Sequence, residues 1–349
     1  MKNTCKYLGL FLILFFATLN ANNVLATVWR VNNRAGVNAD FASLTEAQNS
    51  SSVIAGDTLY LEASSASHGN VTLTKRLVII GPGFFLAENP ETQADINSAK
   101  IDVLTLNNGS QGSVIKGCSL YRLIINTSNI LFEGNYVISS TSSMLSTIVF
   151  GENVNNIILR NNYIRQLYVL NSSEAIRAQV TGVNNVTISN NYIEVNSTVS
   201  GRYSLYLSDG FSGTIENNVL YGSVTVNNSN FHNNILITGA FYPTNTNYTH
   251  NIGNTTQFGS LNGNQQNVVM SNVFVGSAGN STDGQWKLAG GSPAIGAGVD
   301  GVDCGMFGGS NPYRLSGLPN IPSIYQLNHT LNYPAQQIEV EFSVKSNNN

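Results

Sequence analysis

Apolar and polar positions recur in a short register along the middle of the chain. The segments IILRNNYI (157–164), VTISNNYI (186–193), GTIENNVL (213–220) and NFHNNIL (230–236) each run from apolar alternation through asparagine back to apolar alternation. Weaker copies are LFEGNYVI (131–138), NYTHNIG (247–253) and VVMSNVF (268–274). Such a unit reads as strand, tight turn, strand. Aligned on Cys118, Asn135, Asn162, Asn191, Asn218, Asn234, Asn251 and Asn272, the copies are spaced 17, 27, 29, 27, 16, 17 and 21 residues apart. Three positions earlier stand Ile115, Phe132, Leu159, Ile188, Ile215, Phe231, Tyr248 and Val269. Two positions later stand Leu120, Val137, Ile164, Ile193, Leu220, Leu236, Gly253 and Phe274. A unit this small cannot bury its apolar face alone, so it stacks on copies of itself. With coils about 4.8 Å apart, equivalent amides lie one above another. A buried asparagine is then satisfied by its neighbours in a ladder rather than left costly and unpaired.

The flanks complete the organisation. Residues 27–56 read as an N-terminal cap: a strand at Trp29-Arg30-Val31, then FASLTEAQ with Phe41, Leu44 and Ala47 at helical spacing and Asp40 as expected N-cap. A stack needs such a cover over its first open edge. Residues 57–309 form the coils, interrupted by an irregular excursion at 84–100. The tail, 310–349, carries four prolines and then QIEVEFSVK at 337–345, one amphipathic strand expected to cover the last coil or, failing that, to pair with another protein. The expected architecture is all-β: a single right-handed parallel β-helix of roughly ten coils, about 50 Å long at one coil per strand spacing.

Composition supports this and narrows the chemistry. Hydrophobic residues make up 42 %, enough for a core, while charged residues are only 10 %. Ordinary helical surfaces would carry more Lys and Glu. Residues 1–26 read as a secretory signal peptide, with Lys2 and Lys6 before the apolar run Leu8–Ala17 and a small-residue end at Val24-Leu25-Ala26. The run is too short for a membrane anchor, and the expected location is outside the cell or on its surface. Losing Lys2 and Lys6 takes the net charge from −3 to −5, a poor balance for binding nucleic acid. Cys118 occupies a ladder position and reads as a small buried hydrophobe rather than half of a bridge to Cys304. No spacing resembles a metal site, and no cofactor is implied.

The NNYI copies, the start DFASLTEAQ…AGDTLYLE and the closing SPAIGAGVDGVDCGMFGG (292–309) resemble the right-handed parallel β-helix proteins of the pectate-lyase-like superfold, over residues 27 to about 310. The closing segment is similar to the end of a group of secreted bacterial β-helix proteins of largely unassigned role. The resemblance implies the fold and little about activity, because this fold hosts lyases, hydrolases, adhesins and structural proteins. The Asp clusters and Arg base of the lyases, and the paired Asp of the galacturonan hydrolases, have no counterpart here.

Three features remain as candidate chemistry. The column two before the asparagines reads Lys116, Glu133, Arg160, Ser189, Glu216, His232, Thr249 and Met270. Its Glu216 and His232 are the weak candidates for an acid/base pair, against a plain stripe of cross-coil ion pairs. Tyr136, Tyr163 and Tyr192 are expected to stack on the outer face, either as a platform for sugar rings or as structural contacts. The three long coils each carry about ten extra residues, near 139–148, 166–181 and 195–210. Stacked, these would wall a cleft, and they bring Glu174, Arg177, Arg202, Tyr203, Tyr206 and Asp209 together as expected binding residues. The expectation is a monomeric, non-catalytic protein presenting this wall to a polysaccharide or surface glycan. The alternatives are a polysaccharide lyase or glycoside hydrolase acting on an acidic polysaccharide, and a structural matrix or adhesin component.

Overall fold

The computed structural model describes residues 26–139, 146–168, 173–196, 202–208, 210–334 and 336–347. The signal-peptide reading of 1–26 therefore falls almost wholly outside the described residues. What is described is a parallel β-helix. Its first face is a ten-stranded parallel sheet running from Val28–Val31 through Ile130–Glu133, Asn155–Arg160, Val183–Ser189 and Phe211–Glu216 to Asn247–Thr249. A second sheet of 14 strands supplies two further faces. One contains Tyr136–Ser139, Tyr163–Gln166, Tyr192–Val195, Val219–Tyr221 and Ile235–Thr238; the other contains Ser146–Phe150, Glu174–Ala178, Tyr203–Leu207, Ser223–Asn227 and Phe241–Thr244. The long strands Ala99–Leu106 and Cys118–Ile125 join them.

The asparagine ladder is continuous. Asn135, Asn162, Asn191, Asn218, Asn234 and Asn251 are fully buried. From Asn162 on, each Oδ1 accepts both the backbone N–H and the amide of the preceding rung, as in Asn162 to Asn191 at 2.8 and 3.0 Å, while Asn135 Oδ1 accepts Cys118 N alone from the rung before it. Each amide also donates to the carbonyl of the apolar residue one coil back, as in Asn191 Nδ2 to Leu159 O at 2.9 Å. This saturates every polar atom of a buried side chain. The two apolar columns meet inside the coil, where Phe132, Leu159, Ile188, Ile215 and Phe231 lie beside Val137, Ile164, Ile193, Leu220 and Leu236, all without exposure.

The asparagine before each rung has a different task. Asn161, Asn190, Asn217 and Asn233 all have φ between 53 and 59°, and Gly117 and Gly134 hold the same left-handed position in earlier coils. Asn and Gly tolerate that conformation where other residues strain. The NN doublet is thus one residue that turns the corner and one that climbs the ladder.

Four expectations are corrected. The ladder ends on Asn264, whose Oδ1 accepts Asn251 N and Nδ2 at 2.9 and 3.2 Å, not on Asn272. The last coil is cut to 13 residues, while Asn272 sits exposed in the 3-10 turn Met270–Asn272 and Val269 is 60 % exposed. Residues beyond 265 are therefore not coils. They return along the outside of the second face, and the corner asparagines hold them: Val299 N donates to Asn233 Oδ1, Asn217 Nδ2 donates to Asp303 O, and Asn190 Nδ2 donates to Gly308 O. The strap reaches Gly134 at Gly317, where φ is +55° and a Cβ would stand 2.4 Å from Gly134 O.

At the N-terminus the short helix Leu44–Asn49 is capped by Ser43, whose Oγ accepts Glu46 N at 3.1 Å. Asp40 instead accepts Arg30 N. The helix buries Leu44 and Ala47 over the first coil. The 337–345 strand does not lie over the last coil. It pairs antiparallel with Ser323–Asn332, and the hairpin is exposed along almost its whole length. Cys118 and Cys304 are buried and free.

Candidate functional site

The tyrosine stack is present but covered. Tyr163 and Tyr192 stack with centroids 4.5 Å apart, and Trp286 of the strap stacks on Tyr192 at 4.6 Å. Phe85 of the excursion meets Tyr136 and Tyr163 edge-on or tilted, at 4.9 and 5.2 Å. Trp286 Nε1 donates to Tyr163 Oη, which donates to Thr282 O. Tyr163 and Tyr192 are 2 and 3 % exposed. No sugar ring can reach these two, so the platform reading fails for Tyr163 and Tyr192, while Tyr136 at the end of the stack is half-buried.

The charge column forms as aligned from Lys116 to Thr249, and Met270 falls outside it in the 3-10 turn. Glu133 lies between Lys116 Nζ at 2.7 Å and Arg160 Nε at 2.9 Å. Burial would raise the Glu133 carboxyl, but the two cations outweigh it and hold the group below its ordinary value. A lowered carboxylate stabilises above its unfolded pKa of about 4.3, and that contribution is lost as pH falls through the folded value. Glu133→Gln is expected to cost about 1–2 kcal/mol at pH 7 in urea unfolding. The gap to wild type should narrow as pH falls below about 4.3 and through the lower folded value, and a constant gap would show that charge is not the cause. Glu216 Oε2 and His232 Nε2 approach to 3.5 Å on the same outer surface, both partly exposed. They are neighbours in a stripe of cross-coil pairs.

The third face holds four of the other expected residues, though not in loops. Glu174 and Arg177 belong to the strand Glu174–Ala178, and Tyr203 and Tyr206 to Tyr203–Leu207. The reason is legible afterwards: Ile176 and Ala178, then Leu205 and Leu207, alternate inward and are fully buried. The extra residues of the long coils lie between second and third strands, around 140–145, 167–173 and 196–202, and most of that wall falls outside the described residues. So does Asp209. Arg202 is 2 % exposed, and its Nη1 donates to Asn196 O. It ties the two ends of its loop together and does not face outward for a ligand.

Register brings four of the expected residues side by side. Glu174 pairs with Tyr203, and Arg177 pairs with Tyr206. The second column continues through Thr225 to Tyr242. Tyr203 meets Tyr206 edge-on at 4.9 Å and Tyr242 at 6.4 Å. Tyr242 is 53 % exposed. It was missed because Phe241–Thr244 follows a short coil with no insertion. Arg177 to Tyr242 spans three coil steps, about 14 Å. Glu174 is the buried member: Ser146 Oγ donates to it at 2.7 Å and Arg177 Nη1 stands 3.9 Å away. Burial raises its carboxyl above the ordinary value, only partly offset by Ser146 and Arg177.

The arrangement is a flat, partly aromatic surface with one guanidinium and one sheltered carboxyl. Among the described residues, no three His, Cys, Asp or Glu side chains group as a metal site, and no helix is long and apolar enough to cross a membrane. No family model matches the chain, and no curated protein or solved structure is significantly similar to it.

Proposed function

We propose that this is an exported, non-catalytic β-helix protein of the pectate-lyase-like kind that binds a polysaccharide or surface glycan on its third face. The observation that carries this reading is the outward run Arg177–Tyr206–Thr225–Tyr242 beside Tyr203. Partly exposed tyrosines on rigid strands offer apolar ring faces with polar tips and little side-chain entropy to lose. Their spacing along the axis matches a linear ligand that contacts one coil after another. Arg177 adds a donor for hydroxyl or carboxylate groups. The apolar leader at Leu8–Ala17 supports export.

Glycoside hydrolysis commonly needs two carboxyl groups flanking the scissile bond. The outward columns of these strands contribute one, Glu174. That favours binding over turnover. A glycan array on the purified protein, followed by titration calorimetry, tests the reading. Tyr206→Ala and Tyr242→Ala should each weaken a hit about 3- to 10-fold, and Arg177→Ala by a comparable factor. Binding unchanged in all three variants, or no hit across the array, would defeat it. Release of new reducing ends that disappears in Glu174→Gln would instead establish the enzyme reading.

A further inference from the structure

The C-terminal hairpin has one polar and one apolar face. Register places Leu327 opposite Phe342, His329 opposite Val340 and Leu331 opposite Ile338, with Ile324 opposite Val344 at the base. Directly opposed residues share a face. The other face carries Gln326, Asn328, Thr330, Glu339, Glu341, Ser343 and Lys345. The seven aliphatic and aromatic side chains of the first face are 47–66 % exposed. The base is anchored through Asn347 Nδ2 to Ile321 O, Ala94 N to Ile324 O and Lys345 to Glu91.

A two-stranded hairpin is marginal by itself in water and needs its apolar face covered. From the geometry we infer that a second copy of this chain covers it, the two hairpins packing apolar face to apolar face about a two-fold axis. Seven side chains left about half exposed amount to on the order of 400 Å² of apolar surface per copy. At the roughly 65 % apolar content of homodimer interfaces, two copies correspond to about 1,200 Å² in all, the lower edge of stable interfaces. The face bears no Asp, Glu, Lys or Arg. Self-apposition therefore buries no like charges, and Glu339, Glu341 and Lys345 stay in water on the outer side. Two facing ribbons reproduce a four-stranded sandwich with sheets about 10 Å apart. A lipid surface fits less well, because binding anionic membranes calls for a Lys/Arg rim, whereas this ribbon's polar face has two Glu against one Lys. On this inference the chain, expected from sequence to be a monomer, forms a weak dimer joined through this ribbon.

Sedimentation velocity of the full chain tests this. Reversible dimerisation is expected over about 1–100 µM. Val340→Asp/Phe342→Asp should weaken it at least ~100-fold, with unchanged far-ultraviolet circular dichroism. His329→Glu, on the partner strand, should act in the same direction. Glu339→Gln/Glu341→Gln on the polar face should leave the dimer intact. Wild type that stays monomeric at about 100 µM overturns the inference, including where the hairpin instead captures vesicles or another protein. So does a dimer that survives the apolar-face variants.

Discussion

Replacing Asn191 with alanine is expected to destabilise the protein by about 3–5 kcal/mol. The side chain is fully buried at the middle of the ladder. Its Oδ1 is the shared acceptor for Asn162 N and Nδ2, and its Nδ2 serves Leu159 O and Asn218 Oδ1. Alanine removes all four contacts at once. Asn162 N–H, its amide and Leu159 O are left buried without these partners, at roughly 1–3 kcal/mol each before relaxation. The same change at Asn264, the end rung at 5 % exposure, should cost somewhat less, since its Nδ2 donates to Tyr248 O and Leu261 O and to no further rung, so its loss breaks the ladder on one side only. Because coils contact only their neighbours, the damage is local before it is global. Hydrogen exchange should show the amides of Asn162 and of the 186–195 coil losing protection first. A loss below about 1 kcal/mol in chemical denaturation would mean that apolar stacking, and not the ladder, holds the column.

Asp283→Ala is expected to release the strap, at a cost of about 3–5 kcal/mol. Asp283 is one of the few acids in this stretch and a natural suspect for chemistry, yet it is completely buried. Its Oδ1 accepts Asn89 Nδ2 and Ser281 Oγ at 3.0 and 2.9 Å; its Oδ2 accepts Ser316 N and Tyr313 Oη at 2.6 and 3.2 Å. It thereby joins the excursion, the strap and the start of the tail. Hydrogen bonds to a charged group are worth about 1.5–3 kcal/mol each, and orphaning several buried donors is the expensive case. Trp286 reports the result directly, because its ring lies on Tyr192. Its emission should shift red and become open to acrylamide quenching while the strand signal in circular dichroism persists. Tyr313→Phe, which deletes one of the four donors, should cost only about 1 kcal/mol. Unchanged Trp286 fluorescence in Asp283→Ala would show that the strap is held by its apolar contacts alone.

The candidate site was half legible. Glu174, Arg177, Tyr203 and Tyr206 were singled out because charged and aromatic residues gather there against a bland background, and register does align them in pairs. Their setting is strand where loop is expected. EAIRA and YSLYL are five-residue strands, too short for alternation to distinguish from insertion when coils are counted by asparagine alone. Arg202 shows the limit of composition: one residue from Tyr203 in sequence, it turns inward to hold Asn196 O. Tyr242 carried no signal, since its membership depends on the Thr225–Tyr242 pairing.

What the chain determines locally is the column. Period, ladder and left-handed corners follow from residues within one coil and its nearest neighbours, so a repeated pattern suffices to specify them. The cover over the tyrosines could not be read that way. It depends on Trp286 meeting Tyr163 across 123 residues and Asn89 meeting Asp283 across 194, contacts that no repeat encodes. Only the path taken after the last coil decides them. That path turns one aromatic stack into core, leaves another open on the third face, and sends an amphipathic hairpin out into solvent.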